Sequence, residues 1–165
     1  MYTLHCTKKL LDRIKVSPAA SSPMPTTVLG NWYATALAWR PQVALLVNER
    51  TLLPVLMPMA PASTLAARFP DELAAILVRH GAPQAFISNE VAAMSEVSVA
   101  KTANRSVVGT MNEFAFLAEA YREDMETTDL LALSMRLAGT PCSAIKYNSP
   151  DRLLQELTGA SIQLN

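Results

Sequence analysis

The sequence predicts an α+β fold in which a small antiparallel sheet is packed by several amphipathic helices. Two apolar segments flank a three-residue polar turn, Asn48-Glu49-Arg50, and this pattern is typical of a β-hairpin over about residues 42–57. Toward the C-terminus, leucines recur at helical spacing in several segments. Half of the 165 residues are hydrophobic, which is enough for one core, so we expect residues 1–165 to form a single globular domain.

The first segments are predicted to be a strand, a helix and a long loop. Residues 2–6 alternate as in a short strand, and Thr7 is placed to cap a helix over residues 8–14. Residues 17–27 contain three prolines, which are incompatible with regular structure. We therefore expect an extended Pro/Ser-rich loop there.

The middle of the chain is predicted to form a short helix followed by the hairpin. In residues 29–39, Trp32, Ala36 and Trp39 fall at helical spacing, with Asn31 as the cap. The hairpin strands are almost wholly apolar, so both of their faces should be covered. Pro54 has no N–H to donate, which indicates an edge strand or a bulge.

Two helices and two strands are predicted next. Residues 63–69 suit a brief helix, and Pro70 opens a stronger one that ends at Gly81. Residues 84–88 form a candidate strand. Residues 96–101 alternate polar and apolar side chains, as in a half-buried strand or arm.

Three further helices complete the predicted chain. Thr110 and Glu113 have the spacing of a capping box, so a helix is predicted to begin at Thr110. A second helix is expected from about residue 128 to Gly139. Ser149, followed by proline, predicts the start of a last helix that ends at Gly159.

Composition narrows the classes of function and partner. The formal net charge is zero, which excludes a protein that coats nucleic acid through electrostatics alone and favours self-association into a homo-oligomer. Cys6 and Cys142 are too far apart in sequence for a CxxC pair and favour two buried free thiols in a reducing compartment. No segment has the apolar length of a membrane span and the N-terminus has no secretory signal. We therefore expect a cytoplasmic protein without a membrane partner.

The polar residues at 101–113 form the candidate site, because they concentrate there without an obvious packing role. A helix start carries free N–H groups and a partial positive charge, so it suits a phosphate group. The predicted ligand-binding residues are Lys101, Asn104, Arg105, Ser106, Thr110 and Asn112. The competing interpretation is that Arg105 pairs with Glu113 or Glu119 while Thr110 and Asn112 only cap the helix.

Other candidate sites are less specific. The segment 30–33, with Trp32 and Tyr33, could together with Trp39 stack bases or line a groove, although tryptophans at this spacing are more often core. Glu90, Glu96 and Glu113 are candidates for an acid/base pair or a divalent metal only if they converge. His5 and His80 are the only histidines available to activate a nucleophile, and helix capping explains His80. The sequence predicts no metal site and no cofactor, and it completes no catalytic motif.

Four segments together resemble a family of bacterial proteins known as a domain of unknown function. They read LHCTKKLLDR at 4–13, LGNWYA at 29–34, LVNERTL at 46–52 and NRSVVGTMNEF at 104–114. The resemblance implies a stand-alone bacterial domain. It brings no activity, cofactor or catalytic residue with it.

The function predicted first is a small binding or regulatory module that recognises an anion, a nucleotide or nucleic acid through residues 101–113. The second is a small enzyme acting on nucleic acid or nucleotides, with Lys101 and Arg105 stabilising charge and Glu96 or Glu113 as the base. The third is a structural homo-oligomeric protein whose apolar hairpin edge, at Val55, pairs with a second chain.

Overall fold

A computed structural model describes residues 1–159. It contains five strands, with bounds β1 Tyr2–Cys6, β2 Trp32–Leu37, β3 Val43–Asn48, β4 Pro54–Pro58 and β5 Val97–Lys101. The described α-helices are α1 Lys8–Ile14, α2 Leu65–Arg79, α3 Gln84–Ala93, α4 Arg105–Met125, α5 Leu130–Ala138 and α6 Pro150–Thr158. Strands and helices interleave irregularly, so the α+β prediction is confirmed. Residues 160–165 of the predicted domain lie outside the described part.

The strands form one mixed sheet in the order β4-β3-β2-β1-β5. The hairpin predicted at 42–57 is confirmed as the antiparallel pair β3 and β4, and β2 adds to β3 antiparallel. Strand β1 is parallel to both β2 and β5, with Leu4 opposite Trp32 and Val99. The sheet is therefore larger than the hairpin, and its β2-β1-β5 half is parallel.

Each face of the sheet carries its own hydrophobic core. On one face, Leu4, Trp32 and Leu46 pack in a cluster with residues of α2, such as Phe69. On the other, Tyr33, Leu45 and Val47 pack with residues of α4 and α5, such as Phe114. All six residues of β3 are buried, so the prediction that both faces of the hairpin are covered holds for this strand.

Both edges of the sheet are covered by other parts of the chain. At the β4 edge, the backbone N–H of Leu56 donates to the Ser134 hydroxyl of α5 over 2.9 Å. At the β5 edge, the N–H of Ala19 donates to the Val99 carbonyl over 2.8 Å. Pro54 does begin an edge strand, as predicted. Because the Leu56 N–H already donates to α5 and Val55 is fully buried, the fold gives no support to the predicted pairing of a second chain at this edge.

The helix predicted over 29–39 is wrong, because these residues form β2. The spacing of the tryptophans and the apolar run between them fit a helix. A strand that is covered on both faces is also apolar throughout, however, and lacks the polar–apolar alternation that marks a half-buried strand. Every residue of Trp32–Leu37 is buried. Asn31 precedes the strand and its side chain accepts the N–H of Thr3 over 2.8 Å, so it joins β1 to β2 instead of capping a helix.

Residues 63–93 also differ from the prediction. One helix, α2, continues through Pro70 where two were expected, since Leu65, Phe69 and Leu73 share one buried face. The strand expected at 84–88 is wrong, because these residues lie in α3. A short apolar run such as this one does not separate a strand from a helix.

The remaining elements match the sequence closely. Strands β1 and β5, helices α1 and α6, and the irregular loop over 17–27 lie where they were predicted. Thr7 is the residue before α1, but its hydroxyl pairs with that of Thr35 over 2.9 Å and makes no cap hydrogen bond. Within residues 1–159, none of the helices combines the length and apolar character that crossing a membrane requires.

Candidate ligand-binding site

The predicted site lies at the carboxyl end of the parallel strands. Strand β5 ends at Lys101, beside the end of its neighbour β1 at Cys6. The chain then turns through residues 102–104 and enters α4. In sheets with parallel strands, ligands commonly bind outside these carboxyl ends, where loops and helix starts gather. The fold therefore brings the polar segment to a plausible place for a ligand.

Helix α4 begins at Arg105, six residues before the first helical residue that an N-cap at Thr110 predicts. Asn104 is its N-cap, and the Asn104 side-chain oxygen accepts the N–H groups of Ser106 and Val107 over 2.9 and 3.3 Å. The capping box at Thr110 is wrong: Thr110 is buried inside the helix, and its hydroxyl donates to the Ser106 carbonyl. Since the cap already uses backbone donors, an anion here must be held mainly by side chains.

Five of the six predicted residues are exposed: Lys101, Asn104, Arg105, Ser106 and Asn112. The salt bridges within residues 1–159 are Arg122 with Glu119 and Arg136 with Asp124. Lys101 and Arg105 take part in neither, so the expected pairing of Arg105 with Glu113 or Glu119 is not made. The loop thus presents two cations to solvent.

A groove of about 380 Å³ runs along this side of α4. Its lining residues are Thr102, Ala103, Asn104, Arg105, Val108, Gly109 and Asn112. Arg105, Gly109 and Asn112 are spaced at i, i+4 and i+7, which places them on one helix face. A Cβ added at Gly109 would meet no atom within 4 Å, so the groove is open above this residue.

Two side chains that hold the loop against the sheet, His5 and Tyr33, were not assigned to this site from the sequence. The Nδ1 atom of His5 lies 2.8 Å from the Lys101 carbonyl, and the His5 ring stacks on Tyr33 with centroids 4.6 Å apart. The Tyr33 hydroxyl in turn accepts the N–H of Asn104 over 3.0 Å. A carbonyl only accepts, so Nδ1 must carry the proton. The sequence held one signal: in the predicted strand over residues 2–6, Thr3 and His5 alternate with Leu4 and so face the opposite side of the sheet.

The other sequence candidates do not join this site. Trp32 is buried in the core, as expected for such spacing. Trp39 is half-buried, and the Arg122 guanidinium lies over its ring at 4.1 Å, so this face is already covered. Trp39 and Arg122 line a separate cleft of about 290 Å³.

The three glutamates do not converge either. Glu96 and Lys101 stand at opposite ends of β5, roughly 16 Å apart along an extended strand. Glu113 is eight residues, or about 12 Å of helix, beyond Arg105. Glu90 is buried, and its carboxylate accepts the N–H groups of Val28 and Leu29 over 2.7 and 2.9 Å. No group of three or more His, Cys, Asp or Glu in residues 1–159 is arranged to hold a metal ion.

The thiols and His80 are equally poorly placed for nucleophilic chemistry. Cys6 and Cys142 are buried and free, as predicted, and burial raises their pKa values to about 12 and about 11. Both therefore stay protonated near neutral pH. His5 and Cys6 are adjacent in β1 and so point to opposite faces of the sheet. Burial lowers the pKa of His80, whose Nε2 is enclosed without a hydrogen-bond partner.

Together, the fold and the site define an α+β domain with a mixed five-stranded sheet and an exposed polar loop at the end of its parallel strands. The chain belongs to the family described as Domain of unknown function (DUF6933), whose model matches residues 3–153. Comparison with curated proteins and with solved structures gave no match. The predicted family resemblance is confirmed.

Proposed function

We propose that this chain is a small cytoplasmic binding module that recognises a phosphate-bearing ligand, such as a nucleotide or nucleic acid, at the loop and helix start over 101–112. The ligand-binding residues are Lys101, Asn104, Arg105, Ser106 and Asn112. Thr110 is left out, because its hydroxyl is committed to the Ser106 carbonyl inside α4. The buried free cysteines support a reducing compartment.

The observation that carries this proposal is a pair of exposed cations on a loop whose backbone is hydrogen-bonded to His5 and Tyr33 of the sheet. Lys101 and Arg105 make no ion pair within residues 1–159. The contacts of His5 with the Lys101 carbonyl and of Tyr33 with Asn104 reduce the freedom of the loop between them. A preorganised loop loses less conformational entropy when it binds. Charge-assisted hydrogen bonds from arginine to phosphate are among the strongest that side chains make.

The affinity for pyrophosphate, measured by isothermal titration calorimetry, tests this proposal, because this probe has phosphate groups but no sugar or base. Arg105→Ala should lower the affinity at least about tenfold, which corresponds to the loss of one charge-assisted contact of about 1.5–3 kcal/mol. Arg79→Ala is the matched control, since Arg79 is an exposed cation at the end of α2. Equal losses in the two variants, or no binding by the parent chain, would contradict the proposal.

A further inference from the structure

A second groove adjoins the proposed phosphate site. One of the side chains that line it, His5, has a ring nitrogen without a hydrogen-bond partner among residues 1–159. The volume of the groove is about 500 Å³, within the range of small-molecule sites. One wall is the loop over residues 18–22 and the other is the end of β5 with the turn after it. Thr102 and Ala103 line both this groove and the groove along α4, so the two are neighbours.

His5 supplies the unused polar atom. The residue is only 7% exposed, it lines the groove, and its Nδ1 is committed to the Lys101 carbonyl. Because Nδ1 holds the proton, Nε2 of the neutral ring is a hydrogen-bond acceptor. Nε2 makes no hydrogen bond to any residue in 1–159. The enclosed unpartnered side-chain atoms of that range are Tyr2 Oη and His80 Nε2, so His5 Nε2 remains accessible to solvent on the side of the groove.

The wall opposite His5 is fixed in place. Ala19 donates its N–H to the Val99 carbonyl over 2.8 Å, and the Ser22 hydroxyl donates to Thr3 Oγ1 over 2.9 Å. These contacts anchor the loop to both β5 and β1. The groove therefore exists before any ligand enters it, which lowers the entropic cost of binding.

The lining chemistry defines the class of ligand. Small apolar side chains, Pro18, Ala19, Ala20, Ala100 and Ala103, surround a few polar groups, namely His5, Ser21, Ser22, Lys101 and Thr102. Within the described chain the lining contains an ammonium group and no carboxylate, so it disfavours cations. An imidazole nitrogen that can accept a hydrogen bond, beside two serine hydroxyls, suits a ligand rich in hydroxyl groups.

We propose that the His5 groove holds the hydroxyl-bearing part of the same ligand, which is a phosphorylated sugar or polyol. A ligand hydroxyl donates to His5 Nε2 while its phosphate lies near Lys101 and Arg105. The inference rests on the proposed function for its phosphate end. It adds a subsite and a substrate class that the cations alone do not specify.

The test compares two probes, ribose 5-phosphate and pyrophosphate, by calorimetry. The parent chain should bind ribose 5-phosphate, and His5→Asn should weaken this binding about fivefold or more, because a lost hydrogen bond is worth about 1 kcal/mol. Asparagine places an amide N–H near the Nδ1 position, so it keeps a donor to the Lys101 carbonyl while it removes Nε2 together with the ring that stacks on Tyr33. Pyrophosphate binding, which depends on the Lys101 and Arg105 side chains, should fall by a smaller factor in the same variant.

A second variant protects the test against a folding defect at His5. Ala20 is exposed on the loop wall, so Ala20→Phe should fill the groove without disturbing the sheet and should also weaken ribose 5-phosphate alone. If both variants bind ribose 5-phosphate as the parent does, the subsite is wrong while the phosphate site stands. If the parent chain binds neither probe, both proposals fail.

Discussion

Two polar clusters of this molecule contain the same kinds of side chain but differ in how fully their hydrogen bonds are satisfied. The first surrounds the turn between β3 and β4. Asn48, fully buried, donates to the carbonyls of Leu29 and Asn31 and accepts the N–H groups of Arg50 and Thr51 together with the Thr51 hydroxyl. The second is the loop from Lys101 to Ser106. All of its residues except the half-buried Thr102 are exposed, and among its side chains Asn104 makes the helix cap.

The polar character of the turn in the sequence suggests solvent exposure, but the residues at its two ends are enclosed by the fold. Asn48 and Thr51 are buried, and the Glu49 carboxylate accepts the N–H of Asn31 over 2.8 Å. Gly30 is part of the same cluster: its φ is +76°, and an added Cβ would lie 2.6 Å from Glu49 Oε1. The fold therefore accounts for this cluster completely.

The difference shows why polar density alone does not identify a site. In a fully satisfied hydrogen-bond network each donor has an acceptor within the protein, so no group is left for a ligand. Mutation of such a network should therefore change the stability of the protein. In the 101–106 loop, Lys101 and Arg105 form no salt bridge with any residue of the described range 1–159. Mutation there should leave stability intact and change binding. The predictions below separate these two behaviours.

The largest expected effect is on the turn cluster. Asn48→Ala removes five hydrogen bonds and leaves buried backbone groups unpaired, so it should lower the free energy of unfolding by about 4 kcal/mol. Urea unfolding followed by circular dichroism measures this loss. Asn112→Ala is the matched control on exposed α4 and should change stability by less than about 0.5 kcal/mol. Similar losses in the two variants would remove the contrast between the clusters.

Two substitutions on α4 should have opposite effects of intermediate size. Asn104→Ala removes the N-cap and should cost about 1 kcal/mol. Gly109→Ala should stabilise the helix by about 1 kcal/mol, because the position has ordinary helical geometry and open space for a methyl group. If the groove is a binding surface, the same methyl should weaken pyrophosphate binding while the melting temperature rises. If Gly109→Ala instead lowered the stability, this face of α4 would be packed against other residues and would not be the open groove described above.

A smaller effect concerns pH. Burial lowers the pKa of His80 in the folded chain below its ordinary value near 6.5, although Asp151 opposes the shift. A depressed histidine pKa means that its stability contribution is present above the unfolded pKa and is lost as pH falls through the folded value. His80→Gln should therefore flatten the decline in stability between pH 7 and pH 5. Parallel pH profiles for the two proteins, measured by urea unfolding, would exclude a role for His80.

The smallest expected change in stability is at the candidate site. Arg105→Ala and Lys101→Ala should each alter the free energy of unfolding by less than about 0.5 kcal/mol, since both side chains are exposed and make no ion pair in residues 1–159. Thermal unfolding of both variants checks this directly. A drop of several degrees would assign these cations to folding and not to a ligand.

The sequence predicted the fold class, the hairpin and the sheet-forming role of residues 97–101, because these depend on local apolar pattern. It failed at β2, since burial of both faces removes the alternation that marks a strand. It placed the start of α4 too late because Thr110 and Glu113 imitate a capping box, while Asn104 caps the helix earlier.

The candidate site was predicted only in part. Polar residue types at 101–112 were visible in the sequence, but their lack of ion pairs depends on where distant acids lie in space. The support from His5 and Tyr33 was not predictable for the same reason: these residues and Asn104 meet only because β1 lies between β2 and β5 in the sheet. Parallel pairing between distant segments leaves little local signal.

The central claim, that the loop from Lys101 to Ser106 binds phosphate, is tested most directly by an amide NMR titration with pyrophosphate. The account predicts saturable shifts at residues 101–106 and Asn112, which disappear in Arg105→Ala, with no shift around Asn48. Shifts spread evenly over exposed cations such as Arg79, or shifts that persist in Arg105→Ala, would contradict it.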